Sequence, residues 1–309
     1  MTRPRIGLAL GSGSARGWAH IGILDALAQA GIEPDIVCGA SIGSLVGAAY
    51  VAGRLGGLHK WAEAATWREV VGLMDVRLSS GGLVSGDLVV AFLRDLGISE
   101  PIESYSKPYA AVATDLVTGW EIWLQSGPID QAVRASISIP GIFSPIRLHG
   151  QLLADGGLSN PVPVSLCRAL GAEVTIAVNL NGDLVGRRFK SELHRETSAA
   201  PPRDASEFVN RLMSQLPVGL REQAAHIAPR LLAQGPSAPG YFDVLANSIN
   251  IMQDYITRAR LAGDPPHVLL VPRLGHIGLM EYNRAEEAIA EGRLCAEQTI
   301  PIMKRFISR

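Results

Sequence analysis

The chain has 309 residues, of which 47% are hydrophobic and 18% charged, with a formal net charge of −1. This length suits one large α/β domain carrying an insertion, and the near-neutral balance excludes a general nucleic-acid-binding surface. Three cysteines, Cys38, Cys167 and Cys295, lie apart in apolar segments with no metal-ligand spacing and no even-numbered disulfide framework, so they read as reduced core residues of a cytoplasmic protein.

Residues 6–10 form a continuous apolar run, the pattern of a strand buried on both faces. The arginines before it imitate a signal peptide, but the run is too short and meets a glycine-rich loop almost at once. No uninterrupted apolar stretch is long enough to span a bilayer, so a soluble or peripheral protein is expected.

The loop Gly11-Ser12-Gly13-Ser14-Ala15-Arg16-Gly17 opens a helix running to about Ala30, with Ile21, Leu24 and Leu27 on one face. Its position after a strand, with Glu33 and Asp35 downstream, invites a dinucleotide reading, yet Arg16 stands where the third glycine should be. Taken as physics, the loop offers backbone N–H groups at a helix N-terminus and one fixed positive charge, which suits any anion.

Residues 36–38 supply a second strand, which stops at Gly39-Ala40-Ser41-Ile42-Gly43 before an amphipathic helical pattern begins. A strand-to-helix turn this sharp strains its central residue and leaves no room for neighbouring Cβ atoms, which Gly39 and Gly43 remove. The Ser41 hydroxyl then stands at a helix N-terminus, where free N–H groups and the helix dipole stabilise an oxyanion. That is the placement of a nucleophile.

Residues 57–82 read as irregular helix containing Trp61, Trp67, Leu73 and Met74 and ending in a glycine pair; ordinary core and a hinged flap over the site are both open readings. A helix follows at 86–96, then strands at 109–114 and 119–124 and a helix at 129–137 stopped by Pro140. Residues 142–154 form a hairpin turning at His149-Gly150 and ending in Asp155-Gly156-Gly157. The two glycines let the Asp155 carboxylate be aimed at something opposite, although an Asp-Gly turn alone would look the same. A helix from Asn160-Pro161-Val162-Pro163 to Leu170 and a strand at 173–179 come next.

Between 182 and 240 regularity fails, which marks a flexible or helical insertion. Within it lie a basic cluster, Arg187, Arg188, Lys190 and Arg195, and an apolar stripe, Phe208, Leu212, Met213 and Leu216; a solvated surface helix and an interfacial helix on anionic lipid both fit. The chain closes with a helix at 242–261, a strand at 267–271 and a helical region from Tyr282.

A Ser41 nucleophile needs a base. Chain order permits a triad of Ser41, Asp155 and His267 or His276, while a direct pair of Ser41 and Asp155 is the alternative. Position disfavours the triad, because α/β-hydrolases place several strands before the elbow and here it follows the second. Aspartate is a weak base in water, but desolvation raises its proton affinity.

The loop from Gly11 to Gly17, the elbow Gly39-Ala-Ser41-Ile-Gly43, the Asp155-Gly156-Gly157 turn and the stretch Ser136-Ile-Ser-Ile-Pro140-Gly141, in that order, resemble the patatin-like phospholipases, most closely the bacterial branch related to neuropathy target esterase. The motifs that carry this resemblance span about residues 6 to 165. It implies a single patatin-like domain, a three-layer α/β/α fold with a mainly parallel central sheet, in which Ser41 attacks a carboxylic ester of a phospholipid or lysophospholipid and Asp155 acts as base. A general carboxylesterase and a lipid-binding regulatory protein with weak turnover are the alternatives. It also implies an oxyanion hole from the backbone of Gly11 to Ser14, with Arg16 fixing the loop or meeting a phosphate. Ser12 and Ser14 replace glycines of the family's run, so strain is expected wherever those positions need φ > 0. The seven histidines have no ligand spacing, so no metal and no organic cofactor are expected. The expected partner is a lipid ester, with contact at the inner face of the membrane and no nucleic acid.

Overall fold

The computed structural model describes residues 3–73, 76–79, 82–184 and 241–307. From residue 185 onward the expected insertion, with its basic cluster and apolar stripe, lies outside the described residues. Strand β1 (Ile6–Leu10) leads through the glycine-rich loop and a 3-10 turn (Ser14–Trp18) into α1 (Ala19–Gln29), and β2 (Ile36–Ala40) leads through Ser41 into α2 (Ile42–Val51). Next come α3 (Leu55–Ala64), α4 (Trp67–Gly72), β3 (Val76–Ser79), β4 (Gly82–Val84) and α5 (Asp87–Asp95). The middle of the chain gives β5 (Tyr109–Asp115), β6 (Glu121–Leu124), α6 (Ile129–Ser136), β7 (Ile146–Leu148) and β8 (Gln151–Asp155). Then follow α7 (Val164–Ala169), β9 (Val174–Val178), α8 (Tyr241–Gly263), β10 (Val268–Leu270) and α9 (Ala285–Ile307).

The stretch 57–82 is helical only as far as Gly72; beyond it β3 and β4 form an antiparallel pair, with Val76 opposite Val84 and Ser79 opposite Gly82. Apolar residues on either side of the sequence Ser-Ser-Gly-Gly are a hairpin signal, which the aromatic-rich first half of the segment obscures.

Strands β10, β9, β1, β2 and β5 are paired in that order and all run parallel, while β6, β8 and β7 add antiparallel pairings. Successive strand residues face opposite sides, so each parallel strand must be apolar throughout. Leu8, Leu10, Val37, Ala111, Ile176 and Val178 pack into the larger core with residues of α1, α2, α6 and α9. Ala9, Cys38, Ala40, Ala110, Val112 and Ala177 face the other way, against Val164, Leu166 and Cys167 of α7. The three layers are therefore unequal. Small residues on the second face let α7 approach closely: a Cβ on Gly7 would lie 3.0 Å from the Cβ of Cys167.

One register brings distant residues together. Ala111 and Val112 pair with β2 and β6 at once, and Ala113 and Thr114 pair with both β6 and β8. A strand has two edges, so β2 and β8 occupy the same edge of β5, end to end. Ala40 stands opposite Val112 and Asp155 opposite Ala113. Because β2 runs parallel to β5 and β8 antiparallel, their C-terminal ends meet there, and Ser41 and Asp155 meet with them.

Candidate active site

Ser41 has φ 55° and ψ −127°, a left-handed conformation that costs on the order of 1–3 kcal/mol for a residue with a Cβ. Its surroundings hold it there. The Ser41 N–H donates to Ser136 Oγ at 2.9 Å, and the Ser41 carbonyl accepts from the Ser44 hydroxyl at 2.6 Å and the Ser44 N–H at 2.8 Å. The flanking glycines are needed for space, since a Cβ on Gly39 would fall 2.4 Å from Gly43 O and one on Gly43 would fall 2.2 Å from Leu10 O.

The Ser41 hydroxyl donates to Asp155 Oδ2 at 2.6 Å, and the Gly157 N–H donates to Asp155 Oδ1 at 2.7 Å. The Asp155 backbone is tied on both sides, its N–H to Ser138 O and its carbonyl to Thr114 Oγ1. Gly156 is forced by crowding, because a Cβ there would lie 2.1 Å from Val112 O. Burial pushes the Asp155 carboxyl up to about 7, although the hydrogen bonds from Ser41 and Gly157 pull the other way. Desolvation wins because this carboxylate has no cationic partner among the described residues to offset it.

In the glycine-rich loop the Gly11 N–H donates to Val178 O and the Ser12 N–H to Pro161 O, so neither is free for an oxyanion. The N–H groups of Gly13 and Ser14 donate to no group among the described residues, which narrows the expected hole from Gly11–Ser14 to these two amides. Of the two serines in glycine positions, Ser14 has positive φ, at 51°, and Ser12 does not. Arg16 is fully buried, with Nε on Gly13 O at 3.2 Å and a terminal nitrogen on Asn250 Oδ1 at 2.9 Å. It braces the loop from beneath. Gly17 is a packing residue, since a Cβ there would lie 2.2 Å from Ile42 Cγ1.

Ser41 and Ser14 open onto an apolar cavity. Ile42 and Leu45 of α2, Trp18, and Ile137, Ile139 and Phe143 beyond α6 line its inner part, and Val89 and Phe92 of α5 line another side. Trp61, Val70 and Leu73, from the segment open to both a core and a flap reading, complete the wall, and Tyr282 joins the two serines at the polar end.

The histidines of the triad reading are elsewhere. His267 Nδ1 accepts from the Thr175 N–H at 3.0 Å near the start of β9 and β10, at the opposite end of the sheet from Ser41. His276 pairs with Glu287 on the surface. His20, buried and held neutral with a pKa lowered to about 4, bonds the Gly11 carbonyl. Among the described residues no histidine touches Ser41 or Asp155, and no cluster of His, Cys, Asp or Glu could hold a metal ion.

Helix α8 supplies residues that the sequence reading missed. Gln253 Oε1 accepts from Ser12 Oγ and from Asn181 Nδ2, both at 2.9 Å, and Asn250 holds Arg16. Asn250, Gln253, Asp254 and Thr257 form a polar stripe at helical spacing that is buried, while Ile251, Met252 and Tyr255 are exposed. Such a stripe reads as a solvated face in sequence; its one distinguishing sign is that the residues between are apolar. In sequence Tyr282 carries no mark beyond opening the last helical region.

Residues 8–168 match the family described as patatin-like phospholipase. An uncharacterized NTE family protein of Mycobacterium tuberculosis is 35% identical over 339 residues, covering 96% of this chain and 91% of its own. Patatin-like phospholipase domain-containing protein 7 of Rattus norvegicus is 34% identical over 200 residues, which is 62% of this chain and 14% of the rat protein. A patatin-like phospholipase domain-containing protein of Caenorhabditis elegans is 36% identical over 187 residues, 58% of this chain and 14% of its own length.

Proposed function

Because the chain belongs to the patatin-like phospholipase family, we propose that it is a serine acyl hydrolase that cleaves carboxylic esters of phospholipids or lysophospholipids through an acyl-Ser41 intermediate. The observation that carries the proposal is the 2.6 Å hydrogen bond from Ser41 to an Asp155 whose affinity for a proton burial has raised, at the mouth of an apolar cavity.

In this mechanism Asp155 takes the Ser41 proton as Oγ attacks the ester carbonyl carbon, and the tetrahedral oxyanion is met by the N–H groups of Gly13 and Ser14. The protonated Asp155 then gives its proton to the departing alcohol oxygen, leaving acyl-Ser41. Water, losing a proton to Asp155, attacks the acyl carbonyl, and the returning proton restores the serine. The apolar walls suit a long acyl chain and exclude water from the pair.

Access to lipid is the other requirement. Since β5 runs parallel to β2, the β5–β6 turn protrudes at the end of the sheet that carries Ser41, and there Val117 is 81% exposed and Trp120 74%. Arg147, on the neighbouring β7–β8 hairpin, is exposed as well. Aromatic and aliphatic side chains beside a cation suit a bilayer interface, and we assign this turn as the peripheral contact with the membrane.

The test is a fluorophosphonate probe followed by location of the adduct, together with hydrolysis of short- and long-chain esters. A label on Ser41 that is lost in Asp155→Ala and kept in His267→Ala and His276→Ala supports the pair. Loss with either histidine restores the triad, and no label at all leaves a lipid-binding protein.

A further inference from the structure

Tyr282 lies outside the matched family segment, yet its hydroxyl is 2.6 Å from Ser14 Oγ and its ring lines the cavity that Ser41 enters. Two more hydrogen bonds stitch the same segment to the glycine-rich loop and to the end of the 3-10 turn: the Ala15 N–H to Leu279 O at 3.1 Å, and the Trp18 Nε1–H to Tyr282 O at 3.1 Å. The segment itself is held by α9, which packs so closely on α1 that a Cβ on Gly22 would lie 1.9 Å from Ile289 O and one on Gly292 2.1 Å from Ala19 O. Tyr282 therefore sits at a fixed distance from the loop, at the head of a clamped helix pair.

Ser14 needs such a fixture. It stands at φ 51°, where a glycine would rest without strain and a serine does not, and its amide is one of two in the loop with no acceptor among the described residues. A free loop would relax Ser14 toward negative φ and turn that amide away. Burial raises the phenol pKa and outweighs the lowering effect of the Ser14 hydrogen bond and of Arg16, so the tether stays a neutral hydroxyl.

We infer that Tyr282 is a positioning residue for the oxyanion hole: its hydroxyl locks Ser14 in the left-handed conformation that a glycine would adopt unaided, and so keeps the Ser14 amide available to the reacting ester. This inference rests on the hydrolase reading. It assigns a task to a residue from the far end of the chain and explains how serine is tolerated in a glycine position.

The experiment is a double-mutant cycle read by kcat and KM on a medium-chain p-nitrophenyl ester and by the rate of fluorophosphonate labelling at Ser41. Tyr282→Phe keeps the ring, its packing on Trp18 and the backbone bond. It should lower kcat and the labelling rate about 10-fold with KM little changed, a part of the loss expected on removing an oxyanion donor outright. In a Ser14→Gly background the same substitution should have no further effect, because glycine holds the conformation alone. Ser14→Ala should be slowed like Tyr282→Phe, and adding Tyr282→Phe to it should change nothing. The inference is overturned if Tyr282→Phe is fully active or if its loss persists unchanged in the Ser14→Gly background. Failure of the hydrolase reading looks different: the native chain itself would neither label at Ser41 nor turn over.

Discussion

The Oγ of Ser41 and Oδ2 of Asp155, 114 residues apart in the chain, are 2.6 Å apart across the point where β2 and β8 meet end to end on β5. Removing either member should abolish turnover without unfolding the protein. Ser41→Ala should lose at least about 10³-fold in kcat and Asp155→Asn about 10²- to 10⁴-fold, measured on a long-chain ester with melting curves alongside. Full activity in either variant would refute the pair.

The carboxyl of Asp155 is raised to about 7, and only its ionised form can accept the serine proton. Activity should therefore fall about tenfold per pH unit below that value, measured as kcat/KM against pH. Stability should move oppositely. A carboxyl whose folded pKa lies above its unfolded value contributes stability that is fully present below the ordinary carboxylate value, about 4, and is lost as pH rises through about 7. Asp155→Asn should consequently melt higher than the native chain above pH 7, and the gap should close near pH 4; an unchanged gap across this range would show that the carboxyl is not desolvated as described.

Ser136 accepts the Ser41 N–H inside the core. Ser136→Ala would strand a buried donor, which costs about 1–3 kcal/mol, and would loosen the strained elbow. We expect a lower melting temperature and a fall in kcat, with Ser136→Thr restoring part of both.

The apolar cavity proposed to take the acyl chain can be narrowed from the α5 side, where Val89 is one of its wall residues. Val89→Phe should raise the short-chain to long-chain ratio of kcat/KM about tenfold, as a pocket shortened by one bulky group does. An unchanged ratio would place the acyl chain elsewhere.

Val117 and Trp120 are tested by vesicle co-sedimentation. The doubly substituted Val117→Asp, Trp120→Ala chain should bind anionic phosphatidylglycerol-containing vesicles more weakly than the native chain while hydrolysing a water-soluble short-chain ester at the same rate. Equal vesicle binding would remove the β5–β6 turn as the contact.

Much of the site was legible because its signals are local. The elbow and the Asp155-Gly156-Gly157 turn show as short glycine-marked runs, and the crowding at Gly39 comes from Gly43 itself, although the atoms that exclude a Cβ at Gly43 and Gly156 belong to Leu10 and Val112 on neighbouring strands. The β3–β4 pair is not legible in the same way, because a short apolar run carries no decisive period and fits a helix as well. The polar stripe of α8 was passed over for a related reason: helical spacing gives the face a residue occupies, and does not say whether that face meets water or a loop in need of hydrogen bonds.

Sterics and periodicity over about a dozen residues account for most of the strand and helix pattern, for the strained serine at the elbow and for an aspartate at a strand end. That this serine and this aspartate touch, that Asn250 and Gln253 brace the loop, and that Tyr282 reaches Ser14 emerges in the folded molecule alone. Those contacts depend on strand register and on how closely α9 packs against α1, quantities set by the whole core at once and encoded in no single stretch of chain.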